Sequence, residues 1–369
     1  MKTKEKIINF IKSEVVLSVA IVLAIITCFF VPPDKEYLGY FDYSTLICLF
    51  CMLAVVAGLK STNVFELISR KLIGLFHTRR AVIYALVFGT FFFDMIVAND
   101  MSLITFLPLT YIVLHSTKND KYLAFTFIMQ TIAANMGGMI TPYGNPQNLY
   151  LYSYYNINTT EFFRILLVPS ITVAVLLWIC CAFVHNEPLK LRKNSKIIIS
   201  KKELCIYSIL FIFVILSIFR VIPYLITLAI VVLTILIMDR KRFKQIDYAL
   251  IATFFVFFVF SGNIARIPAI KEFISEIVVK NTLLAGIVSC QFISNVPTAI
   301  FLSKFTTNYK ELLVSVNIGS LGILISSLAS LITLKEFLKH QPKNFWKYLI
   351  MYTIFNTLFL VVLLLVTTL

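Results

Sequence analysis

Four long apolar runs in this chain are each cut by a short polar cluster, and that pattern limits the fold more than any other feature. Residues 81–114 are broken at Ala98-Asn99-Asp100, and 283–303 at Ser294-Asn295-Val296-Pro297. Residues 122–149 are broken at Asn135-Met136-Gly137-Gly138 and again at Thr141-Pro142-Tyr143-Gly144-Asn145-Pro146, and 312–334 at Asn317-Ile318-Gly319-Ser320. Polar backbone at membrane depth is tolerated only where it is buried in protein or lines a wet cavity. The composition supports the membrane setting: 59% hydrophobic and 14% charged, against roughly 25% charged in ordinary soluble domains. A soluble globular domain, a disordered chain and a disulfide scaffold are all excluded.

Uninterrupted apolar runs at 15–31, 44–59, 165–184, 204–219, 221–238, 248–260 and 345–369 predict plain spans. With the two broken runs near 122–149 and 312–334 they make nine spans, leaving 81–114 and 283–303 as re-entrant hairpins. The start, MKTKEKIINFIKSE, has the basic front of a secretion signal, but no small-x-small cleavage site follows, so 15–31 reads as an uncleaved first span. Amphipathic stretches at 61–78 and 263–280 are expected to lie along the membrane interface. With the N-terminus inside, 25 of the 33 Lys and Arg residues fall on the cytoplasmic side, including those of the basic linker 185–203. The formal charge of +15 is then a topological signal and not a nucleic-acid surface. The C-terminus is placed outside.

The second half repeats the first in order: two spans, an amphipathic stretch, an interrupted hairpin, an interrupted span, a plain span. ANDMSLI (98–104) parallels SNVPTAI (294–300), and ANMGGMITPYGNPQNL (134–149) parallels VNIGSLGILISSLASL (316–331). Asn99 thus matches Asn295, Ser102 matches Thr298, Asn135 matches Asn317 and Gly137 matches Gly319. The run 204–219 is an unmatched crossing, which turns the second copy upside down. The expected organisation is a first inverted repeat (1–184), a linker with one connecting span (185–220), and a second repeat (221–369).

Paired breaks of this kind are the sequence pattern of a secondary transporter's midplane site. Helix N-termini present free N–H groups to an anion, while unwound carbonyls and Asn, Ser or Thr oxygens can hold a cation. The candidate site residues are Asn99, Asp100, Ser102, Asn135, Gly137, Gly138, Thr141, Pro142, Gly144, Asn145, Ser294, Asn295, Pro297, Thr298, Asn317, Gly319 and Ser320. The competing reading, small-residue packing with asparagines bridging helices, serves for one break alone and poorly for four in matching order. Asp100, at the first tip, is the leading proton carrier or cation ligand; Asp94 is the lesser candidate. An intramembrane enzyme would need a base or metal cluster at that depth, and no His or Lys stands there; a non-transporting receptor is the other alternative. The seven cysteines lie in apolar stretches as small hydrophobes, the Cys48–Cys51 pair included. No cofactor is expected apart from Na+.

At GGMITPYGNPQNL (137–149), FISNVPTAIFLS (292–303) and NIGSLGILISSLASLI (317–332) the sequence resembles the ion transporter superfamily: citrate transporters, divalent-anion:sodium symporters, arsenite permeases and related sodium/proton antiporters. It is most similar to the citrate-transporter-like and arsenite permease branch, in particular to short bacterial inner-membrane members. The resemblance implies an all-α polytopic fold of two inverted repeats, each with a re-entrant hairpin and a broken helix, and a homodimer in the cytoplasmic membrane. It also implies an elevator-like movement of a small anionic solute coupled to Na+ or H+, with Asn99, Asn135, Asn295 and Asn317 at the cation or substrate half-sites. The dicarboxylate symporters carry Ser-Asn-Thr at both tips. Here both threonines are replaced, by Asp100 and Val296, which points away from carboxylates toward a smaller anion or oxyanion. The asparagines favour Na+, whereas Asp100 allows H+.

Overall fold

The computed structural model describes residues 14–189, 197 and 199–368. The cations Lys2, Lys4, Lys6 and Lys12, and Lys190, Arg192, Lys193 and Lys196 of the linker, lie outside the described residues. Among the described residues there are seventeen α-helices and no strand, only an isolated bridge between Thr78 and Pro188. In chain order they are α1 (Val15–Phe30), α2 (Tyr43–Ser61), α3 (Val64–Gly74), α4 (Arg79–Asp94), α5 (Asn99–Ser116), α6 (Leu123–Gly137), α7 (Pro146–Tyr154) and α8 (Thr159–Ala182). After α9 (Lys201–Ile218) come α10 (Tyr224–Met238), α11 (Tyr248–Ala265), α12 (Pro268–Lys280), α13 (Thr282–Ile293), α14 (Asn295–Leu302), α15 (Tyr309–Ile318), α16 (Leu328–His340) and α17 (Phe345–Thr368). Eight helices before α9 thus stand in the same order as eight after it.

Outer helices are apolar on the wrong side for a soluble protein. On α17 Ile350, Ile354, Leu358, Val361 and Leu365 are exposed at three- and four-residue intervals, and α8 shows Leu167, Val168, Ile171, Val175 and Trp178 in the same way. Such stripes lie stably only in lipid. The interior is built around α6, of whose fifteen residues only Phe125 is not buried. Its Gln130 amide is a buried clamp: Oε1 accepts from the Thr110 hydroxyl on α5 (2.9 Å), and Nε2 donates to the Thr90 hydroxyl on α4 (3.1 Å). Both arms of the first hairpin are tied to α6 in this way.

Packing partners recur between halves. Hairpin arm α4 packs on α6 as α13 packs on α15, and the second arms cross over, α5 against α16 and α14 against α7. Around them α1 packs on α11, α2 on α10, and the unmatched α9 on α2 and α10.

Among the described residues, five helical stretches are long and apolar enough to cross a membrane by length and hydropathy alone. Nine were expected. The rest fall short for physical reasons: α1 and α10 have 16 and 15 residues, α9 opens on Lys201-Lys202-Glu203, and the second broken span is divided into two short halves.

Several expected boundaries are corrected. The first hairpin turns at residues 95–98, so Asn99 and Asp100 open α5 rather than form the tip. The second turns at Ser294 alone, whose φ of 71° supplies the reversal, leaving Val296 and Pro297 in the first turn of α14. Asn135 and Gly137 remain in α6, and Asn317 in α15; the open backbone comes after them. Asn263 belongs to the last turn of the long α11, buried, and not to the amphipathic helix α12. That helix buries only Val278, and the chain turns by 116° between it and α13.

Candidate functional site

The two interrupted helices meet through their broken ends, and they do so reciprocally. At the end of α6, Asn135 Oδ1 accepts from the hydroxyl of Ser327, which caps the start of α16 (2.7 Å). At the end of α15, Asn317 Nδ2 donates to Asn148 Oδ1 in the first turn of α7 (2.7 Å), and its Oδ1 accepts from Gln147 Nε2 (3.4 Å). Each half-helix C-terminus is therefore tied by an asparagine to the half-helix N-terminus of the other break. All five side chains are buried, where an unpaired amide costs about 1–3 kcal/mol.

Each hairpin leans on the break of its own half. In the first, the Gly138 N–H donates to Asp94 Oδ2 (2.6 Å), and the Thr141 hydroxyl donates to the Met95 carbonyl in the hairpin turn (3.1 Å). Asn148 Nδ2 gathers the carbonyls of the open stretch, at 3.0 Å from that of Met139 and 3.3 Å from that of Thr141. In the second, Gln291 Nε2 donates to the Gly319 and Leu321 carbonyls (2.9 and 3.0 Å) while Oε1 accepts from the Ile323 N–H (3.0 Å). The Ser294 hydroxyl lies 3.3 Å from the Ser326 carbonyl, and Ser326 Oγ donates to the Ser320 carbonyl (2.7 Å). Glycine is needed where hairpin and break touch: a Cβ on Gly137 would lie on the Phe91 backbone carbonyl, and one on Gly319 would lie 3.0 Å from Ile287 Cα and Cys290 Sγ.

The matched asparagines at the hairpin ends behave alike. Asn99 Oδ1 accepts from the Asp100 N–H and Asn295 Oδ1 from the Val296 N–H, both at 2.9 Å. Ser102 donates to the Asn99 carbonyl (2.9 Å) and Thr298 to the Ser294 carbonyl (2.7 Å). Ser320 donates to the Asn317 carbonyl (2.6 Å), and Pro142 and Pro297 are buried beside their breaks. Among the described residues no hydrogen bond joins Asn99 or Asn295 to Asn135 or Asn317. Asp100 is half-buried, and its Oδ1 is enclosed without a partner.

Sequence reasoning passed over Gln147, Asn148, Gln291, Ser326 and Ser327 and underrated Asp94, which is fully buried. The available signal was amides and a carboxylate inside apolar runs, next to the breaks rather than within them. Asn135 Nδ2, Asn145 Oδ1 and Gln147 Oε1 are buried without a hydrogen-bond partner among the described residues. Among the described residues no group of three or more His, Cys, Asp or Glu side chains could hold a metal ion, and the cysteines are free.

Lipid-facing helices enclosing two joined helix breaks define a polytopic membrane protein of the transporter class. Residues 6–311 match the citrate transporter family (CitMHS), and the chain belongs to that family. It is similar to the uncharacterized transporter MJ0456 of Methanocaldococcus jannaschii, at 34% identity over 298 residues, covering 80% of this chain and 81% of that protein. Inner membrane protein YbiR of Escherichia coli is 24% identical over 327 residues, covering 87% and 86%. The putative transporter arsB of Dictyostelium discoideum is 26% identical over 144 residues, covering 37% and 24%. The chain is thus a membrane transporter and not an enzyme.

Proposed function

We propose that this transporter moves a small anion or oxyanion across the cytoplasmic membrane, driven by a gradient of Na+ or H+. The observation that carries the reading is the reciprocal tie between the breaks, Asn135 to Ser327 and Asn317 to Asn148. It brings the starts of α7 and α16 beside unwound carbonyls in the protein interior, which supports adjacent places for an anion and a cation. Two inverted repeats, with hairpins and broken helices moving as a body against a dimeric scaffold of α1, α2, α10 and α11, would expose that site to each side in turn. The N-terminus is cytoplasmic in this arrangement. The similarity to an inner membrane protein supports the membrane setting, and the similarity to a putative arsB transporter supports transport.

The test is uptake into proteoliposomes of labelled citrate, succinate, sulfate and arsenite under imposed Na+ or pH gradients. Gradient-dependent uptake of one of them, abolished in folded Asn99→Ala or Asn295→Ala protein, supports the reading; indifference of every flux to every gradient sinks it. Cation/proton exchange at Asp100 is a second reading, favoured by the enclosed, unpartnered Oδ1. In that case Asp100→Asn abolishes pH-driven cation flux and leaves anion binding intact.

A further inference from the structure

The first break contains a convergence of oxygens that anion binding does not use. Asn145 has its amide orientation set by Nδ2, which donates to the Asn135 carbonyl (3.1 Å); turning it over would set two oxygens against each other. Its Oδ1 therefore points the other way, and there it is buried without a donor. Gly138 marks the spot. A Cβ on its α-carbon would lie 2.6 Å from Asp94 Oδ2, 2.8 Å from Asn145 Oδ1 and 2.9 Å from the Gly144 carbonyl oxygen. Three oxygens converge on one point, and the donor that reaches them is the Gly138 N–H, on Asp94 Oδ2. Asp94 Oδ1 faces the Ser102 hydroxyl at 3.4 Å, but that hydrogen goes to the nearer Asn99 carbonyl.

Among the described residues no basic side chain is paired with this cluster. Residues 123–154 contain no Lys or Arg. The charge acting on Asp94 from α5 is Asp100, and Asp247 at the start of α11 acts in turn on Asp100, so both neighbours are acidic. Of the other helices against α4, α6 carries no titratable group, α3 carries Glu66, Arg70 and Lys71 with Arg70 paired to Glu66, and α8 carries Glu161 and Arg164. A buried carboxylate facing an orphan carbonyl oxygen with no counter-cation is costly. A proton removes the cost, since the neutral acid donates to Asn145 Oδ1. It also needs no room, whereas the point central to the three oxygens is already crowded against the Gly138 α-carbon.

We infer that Asp94 is the proton-carrying residue of the first break: it takes a proton from water on the oxygen facing Asn145, holds it while hairpin and break are in contact, and returns it to water when they separate. The transport role of that proton rests on the function proposed above; its presence does not.

Infrared spectroscopy of the purified full-length protein in nanodiscs reads the group directly. A protonated-carboxyl band that titrates with pH and vanishes in Asp94→Asn is expected, while Asp100→Asn leaves it in place. Asn145→Ala, which removes the acceptor, is expected to shift its frequency, and this variant decides the matter if Asp94→Asn does not fold. A band indifferent to Asp94→Asn, or a frequency unmoved by Asn145→Ala, overturns the inference. So does a melting temperature raised by Na+ at constant pH in the wild type and not in Asp94→Asn, because the site would then be a Na+ site. If no anion of the uptake panel is transported, the function above fails while the infrared result still stands or falls alone.

Discussion

The two helix breaks are built on one plan and finished differently. In the second, the hairpin contributes a neutral amide, Gln291, which donates to two carbonyls and accepts from one N–H. That break is closed on itself. In the first, the hairpin contributes the carboxylate of Asp94, which reaches one N–H and faces an unpartnered oxygen. The arms differ too, at 16 and 18 residues in the first hairpin and 12 and 8 in the second. A shared helix order therefore does not imply shared chemistry: one break sets a buried carboxylate near an unpartnered oxygen, and the other closes on a hydrogen-bonded amide.

Six substitutions can break or sharpen that contrast. The largest effect is expected at the glycines. Gly137→Ala drives a Cβ into the Phe91 backbone of the neighbouring hairpin arm, which cannot yield, so little folded protein should appear on size-exclusion chromatography, whereas the nearest contact of a Cβ on Gly319 is the Ser315 carbonyl of its own chain turn (2.5 Å), with the Cys290 thiol at 3.0 Å, and Gly319→Ala is expected to fold with a lowered melting temperature. Equal behaviour would show that the two hairpin contacts are equally tight. Next, Asn317→Ala strands both Asn148 and Gln147, at about 1–3 kcal/mol for each orphaned group, and Asn135→Ala strands only Ser327. Thermal unfolding in detergent should rank them in that order.

A smaller loss, about 1 kcal/mol, is expected for Gln291→Ala, because this residue is half-exposed and water can replace its amide. Faster hydrogen exchange at Ile323 would report the opened break. The smallest effect lies outside the membrane, where Arg266 grips Asp34 through two hydrogen bonds (2.6 and 3.0 Å) and holds its carboxyl below the usual carboxylate range. A depressed carboxylate contributes stability above its unfolded pKa of 3.8 and loses it as pH falls through the lower folded value. The melting temperature of Asp34→Asn should accordingly fall slightly below wild type at neutral pH and converge with it in acid. The contribution is modest because the pair is exposed.

Helix order and the position of both breaks were legible in the sequence, because apolar runs and the Asn-x-Gly clusters mark where a membrane helix must stop. Asn99 and Asn295, matched in the sequence, each accept from the N–H that follows them. Less legible was the role of residues inside helices. Asp94 closes α4 inside a long apolar run of sequence, and nothing local announces that Gly138, 44 positions later, meets it. Gln147 and Asn148 follow a proline and read as the start of a helix; their partner is 170 residues away for one and 169 for the other. Long-range hydrogen bonds of this kind depend on which helices cross, and a one-dimensional hydropathy pattern does not hold that information. Element ends slipped by a few residues for the same reason, since tertiary partners decide whether a last turn stays wound.

The isolated bridge between Thr78 and Pro188 has a mechanical consequence. The Leu189 N–H donates to the His77 carbonyl and the Arg79 N–H to the Glu187 carbonyl, both at 2.8 Å. Arg80 Nε adds a bond to the Val184 carbonyl (2.8 Å), and the Arg79 guanidinium pairs with Glu187. The chain leaving α8 is thereby buckled to the foot of α4. Hairpin arm α4 and α8 are thus latched at their base, and a displacement of the first hairpin, if one accompanies the proposed transport, would carry α8 and its lipid-facing stripe along, with the bilayer as part of the load.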